Sequence, residues 1–254
     1  MTKKVAPGTI KRVLMVGGTS AIGQQVARCL AACQIHCYLT GRDLGQLSAI
    51  ADDLRVRGAV SVDFEPLDVG NATALDGLVN RAEKKLGGLD TLVFAVGLLP
   101  DAQQTTQDPE PLREVMAVNA VSAMVVLDQA AALFTQQGQG RLVAIGSVAG
   151  DRGRATNYAY GAAKGALEIF LSGLRQRLHK HGVQVLLVKP GFVDTPMTAA
   201  FKKGPLWASP ERVARDIVRA MEKGKSVIYT PWWWRWIMLV IRLIPEAVFV
   251  RLRF

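Results

Sequence analysis

From residue 13 to residue 229, short apolar runs alternate with longer stretches in which apolar residues recur at helical spacing. The runs 13–16, 37–40, 60–64, 91–95, 142–145, 185–188 and 227–229 are too short for helices and rich in aliphatic and aromatic residues, so they predict strands. Between them, 22–32, 45–57, 72–86, 111–134, 158–179 and 211–223 predict helices. Several runs are apolar throughout rather than alternating, as expected of strands buried on both faces. A twisted strand feeding a right-handed helix packs back on its sheet with only one hand. The alternation therefore predicts an α/β, doubly wound parallel sheet of about seven strands with helices on both faces. No internal repeat, low-complexity segment or linker interrupts it. The expected organisation is one catalytic domain over 1–230 and an appended tail at 231–254.

The tail breaks the pattern. Pro231 is followed by Trp232, Trp233 and Trp234, and then by Arg235-Trp236-Ile237-Met238-Leu239-Val240-Ile241-Arg242-Leu243-Ile244-Pro245. As a helix, 232–244 is apolar nearly all round, with Arg235 and Arg242 on one narrow stripe. Such a helix rises only about 20 Å, short of the roughly 30 Å hydrocarbon core of a bilayer. Pro245 and the charges near it argue against one continuous span. Tryptophan with arginine suits the water–hydrocarbon boundary, so 231–254 predicts a membrane-surface contact. The competing reading is a tail folded over the substrate cleft or across a dimer interface.

Composition adds a sign. Thirty-one Lys and Arg against 21 Asp and Glu give a net charge of +10, which favours a phosphorylated cofactor or an acidic lipid surface. No dense basic stripe interleaved with aromatics is present, so nucleic acid is not expected. Cys29, Cys33 and Cys37 are evenly spaced but run from a helix into a strand, and His36, His179 and His181 complete no ligand spacing. Reduced thiols and no metal are expected. Lys3, Lys4, Lys11 and Arg12 precede a short apolar run that leads straight into a glycine-rich turn. That reads as the start of the fold rather than a cleaved signal, which predicts a cytoplasmic protein.

That turn is Gly17-Gly18-Thr19-Ser20-Ala21-Ile22-Gly23, after the first strand and before the first helix. Glycines there let backbone N–H groups approach a pyrophosphate at the positive end of the helix. Any tight strand–helix connection can use glycine, so the position counts for more than the composition. The segment resembles the Thr-Gly-x3-Gly-x-Gly fingerprint of the short-chain dehydrogenase/reductase superfamily. Gly17 and Gly23 match its first and last glycines, while Val16 replaces the threonine and Ala21 the middle glycine. The resemblance implies a Rossmann fold and a dinucleotide held by Gly17, Thr19, Ser20, Ile22 and Gly23.

The second strand ends Thr40-Gly41-Arg42. An acidic residue there would bind the adenosine ribose hydroxyls. Small residues and an arginine instead suit a 2′-phosphate, which points to NADP(H). The competing reading of Arg42 is a solvated charge. Asp43 with Gln46 reads as a helix N-cap. Asp68-Val69 resembles the family's adenine-binding pair, or is a loop Asp capping the next helix. Where the family has Asn-Asn-Ala-Gly after the fourth strand, this chain has Phe94-Ala95-Val96-Gly97, and only Gly97 is kept.

Ser147 falls at the carboxyl end of the fifth strand, the edge where open α/β sheets bind ligands. Tyr160 and Lys164 follow, four residues apart and so on one helical face. A cation beside the phenol is expected to lower its pKa from about 10 towards the working range. Tyr158 has Ala162 in the corresponding place and lacks a cation. The resemblance assigns roles. Tyr160 protonates the carbonyl oxygen during reduction, and Ser147 holds that oxygen. Lys164 tunes Tyr160 and grips the nicotinamide ribose. Asn119 holds a proton-relaying water, unless its amide is satisfied by backbone. The segment from Lys189-Pro190-Gly191 to Thr195 matches the family's Pro-Gly stretch, with Pro190, Val193 and Thr195 at the cofactor and Thr195 on its carboxamide. The resemblance runs from about residue 11 to 229.

The stretches 97–102, 151–154, 205–206 and 242–245 are similar to one subgroup, the reductases of a decaprenylphosphoryl 2-keto-pentofuranose that make a cell-envelope arabinose donor. That subgroup implies a polyprenyl-phosphate sugar ketone as substrate and a separate oxidase as partner. The superfamily resemblance implies a homo-oligomer, and the tail, with a lipid-linked substrate, implies a place on the inner face of the cell membrane. Arg152 and Arg154 would meet the substrate phosphate, or form a basic surface turn. Two alternatives stand: a reductase of another hydrophobic ketone, such as a 3-ketoacyl or sterol-like lipid, and a non-catalytic cofactor-binding scaffold. The intact Ser147, Tyr160 and Lys164 set weighs against the scaffold.

Overall fold

Successive residues of a strand face opposite sides of a sheet, and β1 (Arg12–Val16) divides its side chains accordingly. Val13 and Met15 enter one core, Leu14 and Val16 the other. The computed structural model describes residues 9–100 and 108–252. The remaining strands are β2 (His36–Gly41), β3 (Ser61–Pro66), β4 (Thr91–Phe94), β5 (Gly140–Ile145), β6 (Val183–Pro190) and β7 (Val227–Thr230). All pairings are parallel, in the order β3-β2-β1-β4-β5-β6-β7.

Helices α1 (Ala21–Ala31) and α2 (Leu44–Val56) cover the Val13 face through residues such as Leu30 and Leu54. On the other face lie α3 (Leu78–Leu86), α5 (Ser122–Gln137) and α6 (Tyr158–Leu178), which bury Leu78, Leu127, Phe134 and Leu171, while α4 (Pro109–Met116) packs on α6 by setting Val115 against Ala159 and Ala163. Helix α7 (Pro210–Glu222) returns to the first face with Val213 and Ile217. Strand β1 pairs with β2 on one side and β4 on the other, so the winding reverses there. A reversal parts the two connecting loops and opens a crevice at the carboxyl ends of the strands.

Two predicted helices differ from expectation. The stretch 72–86 is a 3-10 turn, Ala72–Leu75, and then α3, because Gly77 adopts left-handed backbone at φ 66° between them. The stretch 111–134 begins earlier, at Pro109, where the Asp108 carboxylate accepts from the Glu110 N–H at 2.9 Å. It runs on to Gln137 with a π-turn at Ala117–Val121, where the Ser122 N–H reaches back to the Ala117 carbonyl. This composite, Pro109–Gln137, is the one helix among the described residues long and apolar enough to cross a membrane. Half of its most apolar window is buried against the sheet, and it is a core helix.

Past Thr230 the chain forms α8 (Trp234–Leu243) and α9 (Glu246–Phe249). The inner face of α8 buries Trp234 and Met238 against Val148. Lys3, Lys4, Asp101, Ala102 and the last two residues, 253–254, lie outside the described residues.

Candidate active site

The turn after β1 is closed by main-chain contacts. Gly17 sits at φ +85°, and a Cβ there would lie 2.8 Å from Val96 Cγ2. The N–H groups of Gly17 and Gly18 donate to the Thr40 carbonyl at 3.0 and 2.7 Å, tying the turn to β2. Ser20 Oγ caps α1 by accepting from the Gly23 N–H at 3.0 Å. A Cβ at Gly23 would come within 2.6 Å of the Gly17 carbonyl. The positive end of α1 opens on a cleft of about 530 Å³ lined by Thr19, Ala21, Gln24, Thr195 and Pro196. Thr19 and Thr195, far apart in sequence, therefore share one wall-to-wall space. The Ala21 methyl, where the family has glycine, lines it too. Bare backbone at a helix N-terminus beside a cleft fits a pyrophosphate.

Around this cradle, Gly41 packs under Thr19, where a Cβ would lie 2.9 Å from the Thr19 hydroxyl oxygen. Arg42 is exposed and has no ion pair among the described residues. Asp43 accepts from the Gln46 N–H at 3.0 Å as the cap of α2. Asp68 Oδ1 instead accepts from the Gly70 N–H at 2.9 Å, and Asn71 caps the following turn. Val69 is buried, and Ile22 packs half-buried on the α1-side core. Phe94 is buried and Val96 packs beside Gly17, so apolar packing does what asparagines do elsewhere in the family. Val193 is buried in the same layer as α1.

Ser147 follows β5 and begins a 3-10 turn, Val148–Gly150, its hydroxyl accepting from the Ala149 N–H at 3.1 Å. That turn lies directly on the α6 backbone. A Cβ on Gly150 would meet the Gly165 nitrogen at 2.9 Å, and one on Gly161 the Ala149 carbonyl oxygen at 2.8 Å. Glycines flanking Tyr160 and Lys164 thus let the serine loop and the helix touch main chain to main chain. Their trace in the sequence is slight: two glycines four apart, at 161 and 165, inside a predicted helix. Across this seam the Ser147 hydroxyl lies close enough to Tyr160 to favour its ionised form. Tyr158 is 40% exposed and stands apart.

Lys164 is 3% exposed, donates to the Ile145 carbonyl at 3.0 Å, and has its Nζ 5.7 Å from the Tyr160 ring centroid. Burial pulls its pKa down to about 8. Burial pushes the Tyr160 phenol up to about 12, and the nearby Ser147 hydroxyl only partly offsets this. The expectation that Lys164 lowers the phenol is corrected here. Desolvation of the phenol outweighs any field from Lys164, so burial governs both groups.

Asn119 sits in the π-turn, fully buried. Its Nδ2 donates to the carbonyls of Leu98 and Val115 at 2.7 and 3.1 Å, and its Oδ1 accepts from the Leu98 N–H at 3.0 Å. Both amide donors are engaged with backbone, so the side chain braces the loop after β4. Gly97 lies where the elements converge. A Cβ there would be 3.3 Å from Asn119 Oδ1, 3.4 Å from Met197 Cε and 3.8 Å from Lys164 Nζ.

The fold also holds a buried ionic cluster that no sequence pattern announces. Lys189, 2% exposed at the end of β6, pairs with Asp151 and, at 2.5 Å, with Glu168. Tyr229 donates to Asp151 at 3.0 Å. Burial pulls the Lys189 pKa down, but the bonds to Asp151 and Glu168 together hold it above its ordinary value. The cluster fastens the serine loop to α6, β6 and β7.

Arg152 does not face a substrate. Its guanidinium donates to the Ile241 and Ile244 carbonyls, each at 2.6 Å, and pairs with Glu246 at 2.7 Å. It also stacks 3.7 Å over the Phe249 ring. Arg152 is the C-terminal cap of α8, satisfying carbonyls that a helix end leaves free. Arg154 is half-buried, and burial lowers its pKa. Its Nε and the nearby Asn157 Oδ1 are buried without hydrogen-bond partners among the described residues. On the other side of the tail, Phe192 packs edge-on to Trp234 at 5.1 Å and stacks on Trp207 at 5.4 Å. A Cβ on Gly191 would fall inside the Trp234 indole. The tail thus supports both the serine loop and the segment leading to Thr195.

The family model for short chain dehydrogenase matches residues 11–205. The chain belongs to this family. An uncharacterised oxidoreductase of Mycobacterium tuberculosis is 37% identical over 240 residues, covering 94% of this chain and 96% of that protein. Another from Streptomyces coelicolor is 32% identical, covering 98% of each. Hydroxysteroid 11-beta-dehydrogenase 1-like protein A of Xenopus laevis is 31% identical, covering 88% of this chain and 78% of its own. Among solved structures, the bulky-bulky ketone specific alcohol dehydrogenase of Comamonas testosteroni superposes with a TM-score of 0.80 at 20% identity, covering 97% and 96%. A variant of actinorhodin polyketide ketoreductase crystallised with NADPH gives 0.78 at 22%, covering 87% and 95%. These two share the fold. This short chain dehydrogenase is an oxidoreductase, and its family uses NAD(P)H on small-molecule keto compounds.

Proposed function

We propose that this short chain dehydrogenase is a cytoplasmic, NADPH-dependent reductase of a ketone carried on a hydrophobic, phosphate-linked molecule, best read as the 2-keto group of a polyprenyl-phosphate pentofuranose. The observation behind the chemistry is the main-chain contact that sets the Ser147 turn against the helix carrying Tyr160 and Lys164, at the carboxyl edge of the sheet. Bound NADPH would supply hydride. Ser147 holds the carbonyl oxygen, and Tyr160 donates a proton to it. A phenol with a pKa near 12 is protonated at neutral pH, which suits reduction. Lys164 would grip the nicotinamide ribose of the bound cofactor. Arg42, exposed and without an ion pair among the described residues, supports a 2′-phosphate and so NADPH over NADH.

Arg154, with a buried guanidinium nitrogen lacking a partner among the described residues, supports a phosphate on the substrate. A separate oxidase would supply the ketone by oxidising the hydroxyl at the same carbon, and a homo-oligomer is the expected assembly. A second reading is a reductase of another bulky ketone. It is favoured by the structural neighbour named for bulky-bulky ketones and the polyketide ketoreductase.

The test follows NADPH absorbance with a synthetic polyprenyl-phosphate 2-keto-pentofuranose, a 3-ketoacyl thioester and a sterol-like ketone. Turnover of the first, lost in Tyr160→Phe while NADPH still binds, is the expected result. Turnover of only the others transfers the assignment to them. NADPH binding without turnover of any would make the chain a cofactor-binding scaffold.

A further inference from the structure

We propose that the outer face of α8, with the turn before it, is a docking surface for an anionic lipid bilayer, and that the tail stays folded on the enzyme while it docks. This inference stands apart from the choice of substrate.

The inner side of α8 is fully used by Trp234 and Met238, yet its outer side is as apolar. Trp232 is 65% exposed, Trp236 57%, Leu239 45%, Val240 63% and Leu243 73%. At 3.6 residues per turn the four of these in α8, Trp236, Leu239, Val240 and Leu243, fall within one arc of about 100°, and Trp232 lies in the turn before it. A contiguous apolar stripe of this kind on a surface marks an interaction site.

Charge identifies the occupant. From 223 to 252 the sequence carries Lys223, Lys225, Arg235, Arg242 and Arg251 but one acid, Glu246, which Arg152 already holds. Lys225, Arg235 and Arg242 line a groove of about 620 Å³ between β7 and α8, beside Trp232, Trp236 and Leu239. Cations rimming exposed indoles match a phosphodiester headgroup above its acyl chains. A second copy docked on this face would set its own Lys225, Arg235 and Arg242 against these, which disfavours self-association through α8. The ten-residue helix is about 15 Å long and suits lying flat in the interface rather than crossing it.

The helix is also pre-formed. Arg152 caps it and Trp234 anchors it, so docking loses little ordering entropy. Those same anchors lie next to Ser147 and before Thr195. The cleft therefore has a fixed attitude to the membrane, within reach of a substrate whose chain stays in the lipid.

The test is flotation of the full chain with phosphatidylcholine vesicles, with and without phosphatidylglycerol, followed also by tryptophan fluorescence. Recovery with the anionic vesicles, a blue shift and release by high salt are expected. Trp236→Glu combined with Leu239→Glu should lower partitioning roughly tenfold or more, with circular dichroism and turnover of a water-soluble ketone unchanged. Arg235→Gln with Arg242→Gln should erase the preference for anionic lipid. Parent protein that stays unbound, or a double-glutamate variant that floats like the parent, overturns the proposal. A dimer in sedimentation that the double-glutamate variant breaks, without vesicle binding, assigns the face to a second copy instead.

Discussion

Replacing Arg152 with alanine removes the cap of α8 without touching Ser147, Tyr160 or Lys164. Two terminal carbonyls, of Ile241 and Ile244, lose charged donors at 2.6 Å. Charge-assisted bonds of this kind contribute about 1.5–3 kcal/mol, and the lower end applies because water can reach the freed carbonyls. The ion pair to Glu246 counts for about 0.5 kcal/mol, since that carboxylate is mostly exposed. Stacking on Phe249 contributes about 0.5–1 kcal/mol. The tail should be loosened by about 4 kcal/mol, or roughly three orders of magnitude in its opening equilibrium. Native-state hydrogen exchange read by mass spectrometry on peptides spanning 234–249 measures this directly, because the tail can open without global unfolding. Arg152→Lys should recover only part of the protection, as a point charge cannot fork between two carbonyls. Tail protection in Arg152→Ala within about threefold of the parent would refute the capping argument.

Three further outcomes follow from the geometry. Gly191→Ala drives a methyl into the Trp234 indole and should cost about 1–3 kcal/mol in chemical denaturation, with Trp234→Ala in the same chain relieving the clash. Lys164 titrates near 8 in the fold but near its ordinary 10.5 when unfolded. The unfolded chain therefore binds more protons at Lys164 between those values, so the Lys164 contribution to stability should rise with pH across that window by up to about 3 kcal/mol. It is read as the difference between the pH profiles of the parent and Lys164→Met, because the buried thiol and phenols titrate with the opposite sign. Arg42→Glu should raise KM for NADPH by roughly tenfold or more while sparing turnover with NADH, measured by steady-state kinetics with either cofactor.

The strands, and the placing of Tyr160 and Lys164 on one helical face, are legible in the sequence because each rests on short-range pattern. A buried parallel strand must be apolar, and Tyr160 and Lys164 share a face by helical spacing alone. The split of 72–86 is not legible, because Gly77 looks like any tolerated helix glycine until its φ is known. The functions of Arg152 and Lys189 are hidden for a different reason. Arg152 meets Glu246 across 94 positions, and Lys189 meets Asp151 across 38. No local spacing announces such a meeting. The direction of the Tyr160 shift escapes the sequence because charge can be inferred from residue types, whereas desolvation depends on everything folded around the phenol.

The contact of Gly150, Gly161 and Gly165 has a mechanical consequence. Where two layers meet through side chains, a changed rotamer or a lost methyl lets them slide or settle. Here main-chain atoms meet main-chain atoms, and nothing between them can be compressed or re-aimed. The seam is a spacer of fixed thickness, its gauge set by atomic radii. Substitutions in the surrounding core should therefore weaken this enzyme before they detune it, leaving the distance from Ser147 to Tyr160 unchanged in every variant that still folds.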